Sequence, residues 1–308
     1  MNTLTIVMYH YVRPIASSKY PRIKGLELKA FKRQLDYLSN KYNFITAEEL
    51  LNFSLKQSEL PTNPCYLTFD DGFKDHIKYV VPELLSRGIQ GSFFPPAEAV
   101  ENREMLDVHA LHFILACSKD TYGLIDVIDK SYLEHNGTQL SLNNLKKTWL
   151  TSSRFDTAEV MYIKNMLQHG LPSTFRSEIV SKLFKKYVGI SKSDFSDELY
   201  ISMSDAKKLV EVGMYVGSHG QKHVWLDKES KSNQMIEINS SLNFLKNIGA
   251  PTQDWIMCYP FGGYNKDTLN ILKLKKCQIG LTTNPGIAQL KRSKLLELSR
   301  YDTNDFPK

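Results

Sequence analysis

Leu67-Thr68-Phe69-Asp70-Asp71-Gly72 is the stretch from which the fold of this chain can be deduced. The apolar run 65–69 has the aromatic and aliphatic content of a buried strand, and Gly72 can adopt a backbone angle that ends this strand sharply. Asp70 and Asp71 are therefore expected at the C-terminal end of a strand. Active sites form at this end in open α/β sheets and α/β barrels.

The rest of the chain alternates single strands with single helices. Strands are predicted at 4–9, 65–69, 91–94, 214–218, 255–259, 278–282 and 295–299. Such alternation favours parallel strands, and about seven of them indicate an α/β fold, either a barrel or a doubly wound sheet. Residues 97–198 interrupt the pattern with helical segments. We interpret them as a helical insertion within a single domain, 1–308.

The composition favours a soluble globular protein over a nucleic-acid-binding or membrane protein. Hydrophobic residues make up 42% of the 308 positions and charged residues 23%, which is ordinary for a globular protein. The net charge of +6 is spread over short basic runs without a basic stripe, so we expect no nucleic-acid partner. The N-terminus has the pattern of a first strand, and no window reaches the ~18 apolar residues of a membrane span. We expect no integral membrane segment and a cytoplasmic location.

Ser218-His219-Gly220-Gln221-Lys222-His223 is the predicted partner of the two aspartates. Adjacent carboxylates are unfavourable unless a metal, another cation or a shared proton offsets their charge. Two histidines four positions apart face the same point if the segment turns helically. Two imidazoles and one carboxylate form a three-ligand catalytic metal site with open positions for water and substrate.

Further polar groups follow other predicted strands. His10, Tyr259-Pro260 and Ser299-Arg300 each stand at the C-terminal end of one. In a parallel-stranded fold these ends share one face, so the groups are expected near Asp70.

Residues 68–72 and 219–223 together resemble the motifs of the polysaccharide deacetylases, carbohydrate esterase family four, which share the nodulation-type chitooligosaccharide deacetylase homology domain. The resemblance covers about 1–96 and 199–308, and it implies a distorted (β/α) barrel of about seven strands.

The resemblance also implies roles for the motif residues. Asp70 matches the general base of the family, and Asp71, His219 and His223 match the ligands of one divalent metal ion. Zinc is the expected ion, with nickel, cobalt, manganese and iron as alternatives.

The third family motif, Arg-x-Pro-Tyr, corresponds to the segment that begins at Cys258, which replaces its arginine. The resemblance assigns the Tyr259 backbone N–H to the oxyanion hole. Tyr259, Pro260 and Phe261 are the expected substrate contacts.

The Leu-x-His motif that supplies the general acid in the family lacks its histidine in the stretch 296–300. Arg300 is the candidate that replaces the missing arginine and orients Asp70. His10 is the candidate for a compensating acid or a supporting group.

The sequence thus predicts a metal-dependent hydrolase that removes an N-acetyl group from an amino sugar or glycan intermediate in bacterial surface polysaccharide biosynthesis. One alternative is a related metal-dependent C–N hydrolase, a deformylase or an enzyme for a non-sugar amide. Another is an inactive carbohydrate-binding protein on the same fold. The insertion 97–198 is expected either to cap the cleft or to form a homodimer contact.

Overall fold

The computed structural model describes residues 3–135 and 137–308. Its strands are β1 Thr3–Tyr9, β2 Val12–Arg13, β3 Leu26–Glu27, β4 Asn43–Phe44, β5 Pro64–Asp70, β6 Ser92–Phe94, β7 Tyr215–Val216, β8 Trp255–Cys258, β9 Cys277–Leu281, β10 Ala288–Gln289 and β11 Tyr301–Asp302. Its α-helices are α1 Leu28–Ser39, α2 Ala47–Ser54, α3 Val81–Ser86, α4 Ala97–Glu101, α5 Asp107–Cys117, α6 Thr121–Glu134, α7 Gln139–Trp149, α8 Ala158–Asn165, α9 Ser173–Val188, α10 Lys192–Leu199, α11 Met203–Glu211, α12 Lys231–Asn247 and α13 Lys266–Leu274. Within the described residues, no helix is both long and apolar enough to cross a membrane.

The main sheet is built around β1 and β5. Its order is β10-β1-β5-β6-β7, with β11 also paired to β1 and β4 to β5. These pairings are parallel except for that of β10, which runs antiparallel to β1. Strands β8 and β9 form a separate parallel pair. The predicted α/β fold with mostly parallel strands is confirmed.

Single bridges continue this sheet around a ring. Ser218, just after β7, bridges Met257 of β8, and Leu281 of β9 bridges Leu298. Three residues later, Tyr301 of β11 pairs with Val7 of β1, the first strand of the chain. The strands therefore follow the course of a (β/α) barrel, with isolated bridges in place of continuous ladders on one side.

The strand predicted at 295–299 is not formed. Leu298 makes one bridge to Leu281, residues 292–294 form a 3₁₀ turn, and the strand begins only at Tyr301. The apolar residues Leu295 and Leu298 are buried as a strand would require, but the backbone around them follows an irregular path beside β9. Arg300 consequently precedes a strand and does not follow one.

The alternation of side chains along β5 separates two cores. Leu67 and Phe69 pack towards the helices, in a cluster that includes Phe31 of α1 and Leu209 of α11. Tyr66 points the other way, into a cluster formed by residues of β1, β6, β8 and β9. Because successive side chains of a strand face opposite sides, Thr68 and Asp70 share the inner face with Tyr66. β5 therefore directs Asp70 into the barrel.

The chain divides into two compact units. The first comprises Met1–Ile15, Gly25–Glu104 and Ser196–Lys308, and it contains both cores just described. The second comprises Ala16–Lys24 and Met105–Phe195 and is built from helices. These edges differ from the predicted insertion, because 97–104 and 196–198 belong to the first unit and 16–24 to the second.

Candidate active site

Asp70 and Asp71 lie where β5 ends, and the backbone there turns sharply. Asp71 and Gly72 both adopt the left-handed region, with φ of 73° and 63°. The Asp71 N–H donates to the Phe94 carbonyl at the end of β6. A Cβ at position 72 would lie 2.6 Å from the Pro95 Cβ, so glycine is required both by the backbone angle and by the space. The turn sends the two carboxylates to different neighbours.

Asp71 faces the two histidines of the second motif. Its Oδ1 lies 3.5 Å from His219 Nε2 and 3.4 Å from His223 Nε2, and all three side chains are buried. A metal ion bound at about 2.1 Å to tetrahedrally arranged ligands separates the ligand atoms by about 3.4 Å. The three donors therefore fit a single divalent ion, with a fourth position left for water or substrate.

The loop that carries the histidines is not helical, contrary to the turn expected from their spacing. Gly220 and His223 adopt φ of 73° and 55°, in the left-handed region. These two reversals, and not a helical repeat, bring the rings of His219 and His223 to a centroid distance of 4.7 Å.

His219 is oriented by a second contact on the other side of its ring. Nδ1 lies 2.7 Å from the Cys258 carbonyl oxygen, which can only accept a hydrogen bond. Nδ1 therefore carries a hydrogen, which leaves Nε2, on the side of Asp71, as the nitrogen available to a metal ion. A hydrogen bond of this kind commonly fixes the tautomer of a metal-binding histidine.

Asp70 is paired with a buried arginine. Arg300 Nη1 donates to Oδ1 at 3.0 Å, Nη2 lies 2.8 Å from Oδ2, and Nη1 also lies 3.1 Å from Thr68 Oγ1. Burial raises the pKa of Asp70, but the neighbouring positive charges, chiefly that of Arg300, lower it by more. The pKa of this carboxyl therefore lies below its usual value, which favours the ionised form. The predicted contact between Arg300 and Asp70 is present. The Cys258 thiol lies 3.3 Å from the same carboxylate.

His10 lies beside both carboxylates. Its Nε2 is 4.0 Å from Asp70 Oδ2 and 4.0 Å from Asp71 Oδ2, and its side chain is 39% exposed. The backbone of His10 is held by His76, whose Nε2 lies 2.9 Å from the His10 carbonyl oxygen. Burial lowers the pKa of His76 to about 4, so this ring is neutral and donates its N–H to that carbonyl.

The structure contradicts the role predicted for Tyr259. Its backbone N–H donates to the Leu281 carbonyl between β8 and β9 at 3.0 Å and so cannot line an oxyanion hole. Its ring is fully buried, and its hydroxyl donates to the Leu296 carbonyl at 2.7 Å. Tyr259 is therefore a core residue and not a substrate contact, because strand pairing uses the N–H that the resemblance assigned to the oxyanion hole.

Phe261, by contrast, is partly exposed beside the cluster. Its backbone has φ of 57°, and its ring lies edge-on to His223 at 4.4 Å. The Phe261 ring also stacks on that of Trp225, with 4.7 Å between the ring centroids and an interplanar angle of 3°. Pro260, the third predicted contact, is buried.

Two residues of this region were not found by sequence reasoning. His76 holds the backbone of His10, and Glu237 contacts the loop between the two histidines. Glu237 carried a usable signal, because it is a charged residue on the face of α12 that also bears the apolar Phe244, seven positions later. His76 carried none, since it follows Asp71 at no regular spacing.

A barrel of mostly parallel strands that gathers an Asp–His–His cluster and a charge-paired aspartate at one end has the arrangement of a hydrolase. The family profile described as polysaccharide deacetylase matches residues 162–280, which include His219 and His223. The resemblance to the polysaccharide deacetylases that the motifs predicted is confirmed by this match.

This chain is similar in sequence to a named protein and similar in fold to solved structures. The Bacillus subtilis (strain 168) protein YxkH, which carries the name of a polysaccharide deacetylase, is 29% identical over 287 residues, 92% of this chain and 66% of YxkH. This chain therefore spans just under two thirds of that relative. The Streptococcus pyogenes deacetylase PplD, solved in complex with acetate, has a TM-score of 0.57 at 17% identity. The alignment covers 98% of this chain and 92% of the PplD chain. IcaB from Ammonifex degensii has a TM-score of 0.53 at 17% identity, with coverages of 92% and 85%. These two likenesses concern the fold.

Proposed function

We propose that this protein is a divalent-metal-dependent N-deacetylase that acts on an acetamido sugar of a bacterial surface polysaccharide. The observation that carries the proposal is the pair of adjacent aspartates with separate partners. Asp71 faces His219 and His223 at metal-ligand spacing, while Asp70 is held ionised by Arg300. A base next to a three-donor cluster is what hydrolysis of an unreactive amide requires.

The residues of the cluster would divide the work as follows. Asp71, His219 and His223 would hold the ion, with zinc expected first because one oxygen and two nitrogen donors suit it. The bound ion would polarise the amide carbonyl and acidify a water molecule. Asp70 would accept the proton of that water, and its ion pair with Arg300 keeps it unprotonated for this task.

We assign the oxyanion contact to the backbone N–H of Phe261 in place of that of Tyr259. The Tyr259 N–H is already bound to Leu281, and Pro260 has no N–H. The next N–H in this turn belongs to Phe261, whose ring contacts His223. A backbone donor in a fixed turn stabilises a developing oxyanion without reorganisation.

His10 is our candidate for the acid that protonates the leaving amine. It lies 4.0 Å from both carboxylates and is partly exposed, so a substrate entering from solvent can reach it. Arg300 cannot take this role, because it is buried and both of its terminal nitrogens contact Asp70.

Four observations support the deacetylation of a glycan. The family profile and YxkH carry the description polysaccharide deacetylase, and PplD was solved with acetate, the product of deacetylation. In this chain, the stacked rings of Trp225 and Phe261 next to His223 provide an aromatic surface of the kind against which sugar rings pack.

The proposal is tested with the purified full chain. Its bound metal is measured by elemental analysis, and acetate and free amine are measured after incubation with N-acetylglucosamine oligomers. We expect one divalent ion per chain and equal amounts of acetate and amine. In Asp71→Asn we expect neither bound metal nor release of these products. Formate released from N-formyl sugars without any acetate would favour the alternative C–N hydrolase. Glycan binding by a chain that takes up no metal would favour an inactive binding protein.

The cytoplasmic location and the homodimer contact through 97–198 stay predictions. Cell fractionation tests the first, and light scattering of the full chain and of a chain with substitutions in that segment tests the second.

A further inference from the structure

Glu237 of α12 is a buried carboxylate that lies against the ligand loop, which we define as residues 218–223. Its Oε2 accepts hydrogen bonds from the backbone N–H groups of Gln221 and Lys222, both at 2.9 Å. The side chain of Glu237 is not among the donors that converge on a metal position. It therefore contacts the loop between its two histidines without being a ligand itself.

Further polar backbone groups of the ligand loop are hydrogen-bonded as well. The Gly220 N–H donates to Ser218 Oγ at 3.2 Å, and this hydroxyl lies 2.7 Å from Ser241 Oγ, one turn beyond Glu237 on α12. The first two N–H groups of α4 donate to the carbonyls of Gly220 and Gln221 at 3.1 and 3.0 Å. Because the loop has no regular secondary structure, these contacts take the place of a helix or sheet ladder.

Burial raises the pKa of Glu237, while its two backbone N–H donors favour the ionised form, in which these two bonds are the strongest of the set. Hydrogen bonds from N–H groups to an ionised carboxylate are roughly twice as strong as those between neutral groups. The contact is also close, since a Cβ at Gly220 would lie 3.3 Å from Glu237 Oε2. The left-handed backbone of Gly220, with φ of 73°, and its contact with the Glu237 carboxylate together determine the path of the chain between His219 and His223.

We propose that Glu237 is a positioning residue that holds the ligand loop in its metal-binding conformation and so raises the affinity for the ion. The inference rests on the metal site proposed above. A loop that is already ordered loses less conformational freedom when the ion binds, which increases affinity without any new contact to the ion. Groups that orient metal ligands in this way typically contribute 10–100-fold to metal affinity.

The test compares zinc affinities of the full chain and its variants by competition with a chromophoric chelator. We expect the dissociation constant to rise about 10-fold in Glu237→Gln, which keeps the volume but not the charge, and about 100-fold in Glu237→Ala. The matched control is Gln234→Ala. Gln234 is a fully buried polar residue of the same helix that bonds Thr268 and the Glu229 carbonyl, away from the loop. We expect this control to lower thermal stability but leave zinc affinity unchanged.

Glu237→Gln is the deciding variant, because its volume is retained and it is expected to fold even where Glu237→Ala does not. A zinc dissociation constant within about twofold of the wild-type value would overturn the inference. An equal loss of affinity in Gln234→Ala would also overturn it, since the effect would then be one of general stability. A wild-type chain that binds no zinc or other divalent ion at all refutes the proposed function itself, and this result is distinct from the other two.

Discussion

Replacing Arg300 by leucine should change both the pH dependence of catalysis and the stability of the protein. Arg300 is 1% exposed and contacts both oxygens of Asp70, which is equally buried. Without the arginine, burial is left as the main influence on this carboxyl, and burial raises its pKa. Since a charged neighbour at this distance typically lowers a carboxyl pKa by about 1–3 units, we expect the pKa of Asp70 to rise by a similar amount.

A base must be ionised to accept a proton, so the acidic limb of the profile of kcat/KM against pH should move up by about 1–3 pH units. Removing one partner of a buried ion pair also destabilises a protein by about 3–5 kcal/mol. In the wild type the pKa of Asp70 is lowered on folding, so the pair stabilises the fold at neutral pH, and this contribution is lost as the pH falls through that pKa. The stability difference between Arg300→Leu and wild type should therefore be largest near neutral pH and shrink under acid.

Acetate release measured across pH and urea unfolding at two pH values provide the readouts. Arg300→Lys keeps the charge but not the two-pronged contact, so its acidic limb should lie between those of wild type and Arg300→Leu. Arg13→Leu is the matched control, because it removes the partner of another buried aspartate, Asp75, at 2.5 Å. It should lower stability without moving the acidic limb. The reasoning is refuted if the acidic limbs of Arg300→Leu and wild type coincide.

Three further predictions concern the cluster and the turn that carries it. Asp71→Asn should abolish stoichiometric zinc binding in equilibrium dialysis, and retention of one zinc per chain would exclude Asp71 as a ligand. His10→Gln should lower kcat by about 10²–10⁴-fold while zinc content stays unchanged, and an unaltered kcat would remove His10 as the acid. Gly72→Ala should lower the free energy of unfolding by more than Gly88→Ala. Both glycines are left-handed, which costs an alanine about 1–2 kcal/mol, but only position 72 adds a clash, with Pro95. Equal losses in urea unfolding would contradict the role of the clash.

Much of the site could be anticipated from strand ends. The apolar run of β5 followed by Asp70, Asp71 and Gly72 predicts a buried strand with two carboxylates at its end, and the structure has this arrangement. The segment that begins at His219 follows a second strand of the same parallel sheet. Because parallel strands present their C-terminal ends on one face, local patterns in two distant segments suffice to predict that they meet. Such predictions depend only on strand direction.

The hydrogen-bond partners of individual atoms could not be predicted from those local patterns. The Tyr259 N–H was assigned to an oxyanion hole, but the pairing of β8 with β9 directs it to Leu281. The strand expected before Arg300 is absent, and the irregular path of 295–299 is what lets this side chain enter the barrel.

The separate functions proposed for the two aspartates show what the local sequence determines and what only the tertiary structure determines. Their position at the end of β5 follows from hydrophobic periodicity, which is a local property of the chain. Their division, with Asp71 facing His219 and His223 and Asp70 facing Arg300, depends on a left-handed turn and on residues up to 230 positions away. The hydrogen bonds and ion pairs of buried polar groups are set by strand register and loop path, and these emerge only when the whole chain packs.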